Sequence, residues 1–366
     1  MDIKLFQDIP QESLMFIDNL QVKELNFQPT LKDSTNIGKK INMGYMCYVL
    51  KIYKMTNTWQ SFDKKMQDKW IGKLSSYQSN IDAEYENYFI DPELSKYFNN
   101  IFTIYNGKSF IKSTANIFLN KSYESKNNFI FKTLNADNKQ TISTLGEIGH
   151  TVETSPLISF NNQKNLSGYL DSYDWSRPWD AGAQFSSISL YDKIFGLDLR
   201  DELVSFIEKK LNIETGSYFD RKPSSNRQII NGAMKVITGL DWIEEEIHLP
   251  ENLIDFCLKN KPEFEGCDLV DFIYVLYKCS SQSDYKKHEV VAIFKELLEY
   301  LQILYHHEEK GFSYFVDKSQ THYYGVKISK GSNTPDLHGT ILSIWAIVMI
   351  LETLEENINE YKLIKP

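Results

Sequence analysis

The chain has 366 residues, of which 42% are hydrophobic and 24% charged, with a formal net charge of −9 at pH 7. That apolar content excludes a disordered chain, and the length suffices for a large buried core. The acidic balance gives no ground for nucleic acid or an anionic membrane as a partner.

The opening residues Met1-Asp2-Ile3-Lys4-Leu5-Phe6 lack a charged region followed by an apolar one, so no secretory signal is expected. The segment up to about Lys40 is left as a possible N-terminal cap. Helical periodicity then dominates. It predicts helices over Ile41–Tyr53, Phe62–Tyr77, Ser109–Leu119, Asp137–Ile148, Asn165–Tyr173, Trp179–Ile194 and Arg200–Leu211. Further helices are predicted over Gln228–Leu240, Pro250–Leu258, Cys267–Lys278, Lys286–Tyr305 and Leu337–Leu354. Phe312–Phe315 and Thr321–Tyr324 alternate with period two and are expected to form a small ribbon. Lys64, Lys65, Lys69 and Lys73 interleave with Asp63 and Asp68, as on a solvated helix face. The longest apolar run, Ile341 to Leu351, is too short to span a bilayer. Cys47, Cys257, Cys267 and Cys279 are widely spaced, which fits a reducing, cytoplasmic setting better than a disulfide framework.

A weak repeat organises these elements. Gly216-Ser217-Tyr218-Phe219 leads through a polar loop to Ile230-Asn231-Gly232-Ala233-Met234, and Gly311-Phe312-Ser313-Tyr314-Phe315 leads through another to His338-Gly339. Trp70-Ile71-Gly72 leading to Tyr88-Phe89-Ile90 is an earlier instance. Lys286–Tyr305 carries charge along one side, whereas Cys267–Lys278 and Leu337–Leu354 are apolar nearly all round. Alternating exposed and buried helices describe an all-α double ring, an α/α toroid of about six inner and outer pairs, with residues 1–366 as one domain.

In such a ring the inner helices run parallel, and their N-termini, with unpaired N–H groups and partial positive charge, meet at one mouth. Candidate site residues are therefore those at inner-helix starts: Asn138 and Gln140, Trp179 and Asp180, Asn231, Cys267 and Asp268, Asp336 and His338. Glu265, Cys267 and His338 supply a carboxylate, a thiolate and an imidazole, a complete protein ligand set for a catalytic zinc with one open position. Asp268 and Asp336 are alternative carboxylate ligands. Trp175, Arg177, Trp179 and Asp180 cluster before the small residues Ala181-Gly182-Ala183 and are expected to line the substrate side, with Asp180 as general acid or base. Tyr324, in His322-Tyr323-Tyr324-Gly325, and Lys327–Lys330 stand in the long loop before His338, as a lid or a contact for an anionic substrate group would.

The Gly-aromatic turn, loop and buried-helix repeat resembles the terpenoid-cyclase and protein-prenyltransferase superfamily, from about Trp70 to the end. Glu265-Gly266-Cys267 is similar to that family's Asp-x-Cys zinc motif, with Glu in place of Asp. Asp336-Leu337-His338-Gly339-Thr340 is similar to its second motif, one residue shorter before the His and one longer after it. The resemblance implies a zinc-dependent transferase or cyclase acting on a small-molecule or lipid substrate, in a family whose prenyltransferase branch has a second subunit. Only Lys259 and Lys261 stand where that family has diphosphate-binding Arg and Lys, Asp268 replaces an aromatic after the Cys, and the Asp-x-Asp-Asp of class II cyclases is absent.

The alternative from the residues alone is a metal-free carbohydrate-active toroid. There Asp180 with Asp268 would act as paired acid and base while Trp stacks on a saccharide. A non-catalytic toroid binding a partner is a third possibility. His306-His307 are adjacent and do not share a helix face, which disfavours a two-His metal site. No Gly-rich phosphate loop, no Gly-x-Ser-x-Gly elbow, no His-Glu-x-x-His and no Cys-His-Gly occurs.

Overall fold

The computed structural model of the protein describes residues 3–78, 86–98, 126–156, 166–356, 358 and 360–366. The chain is mostly helical: α1 (Lys4–Leu20), α2 (Met43–Met55), α3 (Thr58–Ser61), α4 (Lys64–Ser75), α5 (92–98), α6 (Lys126–Glu147) and α7 (Leu166–Asp171) come first. They are followed by α8 (Pro178–Phe195), α9 (Arg200–Glu208), α10 (Asn226–Trp242), α11 (Pro250–Lys259), α12 (Gly266–Ser280), α13 (Lys287–Leu304) and α14 (Leu337–Thr353). The predicted helix over Ser109–Leu119 lies outside the described residues. The helix expected to begin at Asp137 begins at Lys126, so Asn138 and Gln140 sit mid-helix rather than at a helix start.

The two expected strands do not pair with each other. β4 (Gly311–Phe312) pairs with β3 (Tyr305–His306), and β5 (His322–Tyr323) pairs with β6 (Val326–Lys327). A third hairpin joins β1 (Gln21–Lys23) to β2 (Asn26–Phe27). Each is a local turn between helices. Tyr305 turns extended at the end of α13, which stops that helix and starts its hairpin.

Two helix types are distinct. α13 buries Val290, Ile293, Phe294, Leu297, Leu298, Leu301 and Leu304, a stripe at three- and four-residue spacing, and leaves its other face to water. α9 and α11 are one-sided in the same way. By contrast α2, α8, α10, α12 and α14 are buried nearly all round. In α14 the run Ser343–Leu351 is buried throughout and contains no charged residue. Full burial of a Leu or Ile side chain contributes about 1.5–3 kcal/mol, so such a helix is held by packing rather than by intrinsic propensity.

These buried helices, together with α6, follow one another in space as they do in sequence. α2 packs on α6, α6 on α8, α8 on α10, α10 on α12, α12 on α14, and α14 on α2. The one-sided helices lie against them: α9 on α8, α11 on α12, α13 on α12 and α14, and α1 on α14. Gly182 and Gly232 let α8 and α10 approach closely, since a Cβ on Gly232 would lie 2.6 Å from Pro178.

The starts of several of these helices are gathered. Asp268 on α12 meets Arg227 on α10 at 2.9 Å, and that guanidinium lies 5.0 Å over the Trp179 ring on α8. At the opposite ends the tail crosses the helices. The Lys362 amide donates to Met55 O at the end of α2, the Lys365 amide to Glu147 at the end of α6, and Lys365 Nζ to Asp241 O near the end of α10. Among the described residues no helix is long and apolar enough to cross a membrane.

Candidate functional site

A cavity of about 520 Å³ is lined from α2, α6, α8, α10, α12 and α14 together. Its wall includes Cys267 and Asp271 from α12, His338 from α14, Tyr48 and Lys51 from α2, Lys139 and Gln140 from α6, and Lys235 from α10. Tyr323 and Tyr324, from the β5–β6 hairpin, also line it, and Ile364 and Pro366 of the tail lie against it.

Cys267 and His338 meet through Tyr314. The Tyr314 phenol donates to Cys267 Sγ at 3.1 Å, and the Tyr314 ring centroid is 5.0 Å from that of His338. On its other side His338 stacks on Tyr48, with centroids 4.8 Å apart and planes 8° from parallel. Burial, with help from Lys235, pushes His338 down to about 3, so its imidazole is neutral at pH 7. Its Nδ1 is buried without a hydrogen-bond partner among the described residues. Burial also raises the Cys267 thiol to about 11, against the opposing pull of the Tyr314 hydrogen bond. One helical turn along α12, Asp271 is raised to about 6 by burial, and its Oδ2 has no partner among the described residues.

Backbone shape brings the pair together. Gly266, at φ 50°, precedes Cys267, and a Cβ there would lie 2.1 Å from the Tyr314 ring. Gly339 follows His338, and a Cβ there would lie 2.5 Å from Tyr314 N. Asp336 caps α14 by accepting from Gly339 N at 2.8 Å, and its other oxygen accepts from the Tyr314 and Gln320 amides at 2.8 and 3.0 Å. Its carboxylate is thereby committed to backbone, which takes it out of the ligand set.

The remaining predicted residues divide between wall and surroundings. Arg177 and Asp180 line the cavity, with Arg177 Nη2 2.6 Å and Lys132 Nζ 3.7 Å from Asp180 Oδ2. Tyr324 lines it too, with a φ of 43°. Trp175 does not: its ring packs 5.6 Å from Phe206, and its Nε1 donates to Leu170 O at 3.0 Å. Trp179 lies under Arg227 rather than on the cavity wall. Asp268 accepts from Arg227 Nε at 2.9 Å and from Asn231 Nδ2 at 2.7 Å, which engages both predicted residues with each other. Glu265 is the residue before α12, outside the cavity wall, and its charge acts on Tyr300 of α13. Lys259 and Lys261 are paired with Asp255 and Glu296.

The donors left facing the cavity are Cys267, His338 and Asp271, a set of the right chemistry for zinc with Asp271 in place of Glu265. Among the described residues, however, no three His, Cys, Asp or Glu side chains are grouped closely enough to hold an ion. Sequence reasoning missed Asp271, Lys51, Lys139 and Lys235. For Asp271 and Lys51 the available signal was a charge inside an otherwise apolar stretch, as in Val270-Asp271-Phe272 and Leu50-Lys51-Ile52. Comparison with known proteins finds no family model, no curated protein and no solved structure that matches this chain.

Proposed function

We propose that the chain is an α/α-toroid enzyme with its reaction centre in the central cavity, at Cys267, His338 and Asp271. The cyclic packing of α2, α6, α8, α10, α12 and α14 supports the toroid. The observation that carries the enzymatic reading is one cavity where a half-buried thiol, a neutral imidazole with an orphaned Nδ1 and a carboxylate with an orphaned Oδ2 converge. Unsatisfied buried polar atoms are costly and cluster where a ligand completes them.

A thiol raised to about 11 is protonated at neutral pH, and a neutral His338 held near 3 is a poor base for it. Something else must draw the proton away before Cys267 acts as a nucleophile or ligand. Zinc would do so if Cys267, His338 and Asp271 drew together around it from positions too far apart to hold it as they stand, and it would supply an activated thiolate or water. The saccharide reading has less support, because neither Trp175 nor Trp179 is on the cavity wall and Asp180 is shared between Arg177 and Lys132.

The test is bound metal in protein purified without added zinc, compared with Cys267→Ala, His338→Ala and Asp271→Asn. Stoichiometric zinc in the parent that is lost from all three variants supports the reading. A folded, metal-free parent that gains no stability from added zinc removes the zinc component.

A further inference from the structure

The cavity wall carries more cations than anions. Lys51, Lys132, Lys139, Arg177 and Lys235 face it, against the carboxylates Asp180 and Asp271. Asp180 is already engaged by Arg177 and Lys132. That leaves Lys51 on α2, Lys139 on α6 and Lys235 on α10, with Asp271 as the opposing charge on the wall.

Some surface lysines find carboxylates, as Lys193 does with Glu244 and Lys287 with Glu355, and the rest stand in water; these three instead line the cavity. Among the described residues none of the three makes an ion pair or a side-chain hydrogen bond. Lys51 is 7% exposed. Burial is the main influence that pushes Lys139 and Lys51 down, and like charge adds to it: Lys235 and Lys51 act on Lys139, and Lys235 acts on Lys51. Glu147 draws on Lys51 but also accepts the Lys365 amide at 3.0 Å. Gathering like charges in a half-buried space is unfavourable unless an anion offsets them.

The geometry points to Lys51, Lys139 and Lys235 as a built subsite for a multiply charged oxyanion, a phosphate or diphosphate group carried by the cavity's ligand. Three amines from three helices can each donate to a different oxygen of such a group. The site lies in the same cavity as Cys267 and His338, so the inference rests on that cavity being a ligand site, though not on zinc.

The test is calorimetric titration with inorganic pyrophosphate, inorganic phosphate and acetate at constant ionic strength set with chloride. Pyrophosphate is expected to bind more tightly than phosphate, with acetate showing no saturable binding. Each of Lys51→Met, Lys139→Met and Lys235→Met should weaken pyrophosphate by roughly tenfold, the loss of one charge-assisted hydrogen bond. Each should also melt higher than the parent in anion-free buffer, because repulsion is relieved. Lys→Gln versions serve where a Met variant does not fold. Cys267→Ala should retain pyrophosphate binding, which separates this subsite from the thiol chemistry. No saturable pyrophosphate binding by the parent, or binding that survives in the triple variant, overturns the assignment.

Discussion

Tyr314 and Cys267 hold each other through one phenol oxygen. It donates to Cys267 Sγ at 3.1 Å and accepts the Cys267 amide at 3.2 Å. The amide so used is an early N–H of α12, without an intrahelical partner, so Tyr314 caps the helix and contacts its thiol at once.

Tyr314→Phe removes both bonds. The hydrogen bond to sulfur favours the thiolate, so its loss should move the thiol further up from about 11. Alkylation of Cys267 by iodoacetamide, followed against pH by mass spectrometry, should shift its midpoint upward and slow by about threefold to tenfold at fixed pH. The other three cysteines are buried and provide an internal control. An unchanged midpoint would show that the phenol does not influence the sulfur.

Glycine substitutions separate a packed position from an open one. Gly339→Ala should destabilise the fold by about 2 kcal/mol or more, because its Cβ would meet main-chain atoms of Ser313 and Tyr314. Gly72→Ala, within α4 with nothing within 4 Å of its Cβ, should stabilise by about 0.5–1 kcal/mol. Denaturant midpoints of the two variants check the contrast, and equal effects would contradict it.

Trp175→Ala should cost about 3–5 kcal/mol, as truncation of a buried aromatic does. Pyrophosphate binding by the variant that remains folded should match the parent, because Trp175 packs on Phe206 and not on the cavity. A selective loss of ligand binding with unchanged stability would return Trp175 to the substrate wall.

Asp137 should make stability fall as pH rises through the weakly acid range. Burial lifts its carboxyl from 3.8 to about 7, opposed by the bond from Tyr323. Between those values the native state binds a proton that the unfolded state has released, so the penalty is absent below about 4 and complete above about 7. Asp137→Asn keeps an acceptor for Tyr323 and should flatten this contribution to the melting-temperature profile over that range. His338, depressed from 6.5 to about 3, works in the opposite direction and lends stability as pH rises between those values. A parent and variant with parallel profiles would show that Asp137 does not titrate there.

Most helices were legible because burial imposes a period. The apolar run of α14 and the one-sided stripe of α13 can be read directly from their residues. α1 was not, since Pro10 lies in the middle of its stripe of Phe6, Ile9, Phe16, Ile17 and Leu20, where proline ordinarily ends a helix. α6 begins eleven residues before its expected start at Asp137, in the polar Lys126-Asn127-Asn128, where Ser125 just ahead is a helix-start signal in sequence but no apolar run follows at once to support it. Cys267 and His338 were legible as a pair because each opens a buried helix. Glu265, one position outside α12, and Trp175, before α8, show the limit: spacing places a residue near a helix start but does not fix the direction of its side chain. Lys139 and Lys235 needed the third dimension, since neither has a distinctive neighbour in sequence.

The contact of α14 with α2 joins segments nearly the whole chain apart. Contacts at such separation form late and slow folding. During synthesis, α2 waits for its second neighbour until α14 has been made. If Lys51, Lys139 and Lys235 hold a polyanion as proposed, that ligand would tie α2, α6 and α10 to one another and stabilise the closed arrangement by mass action.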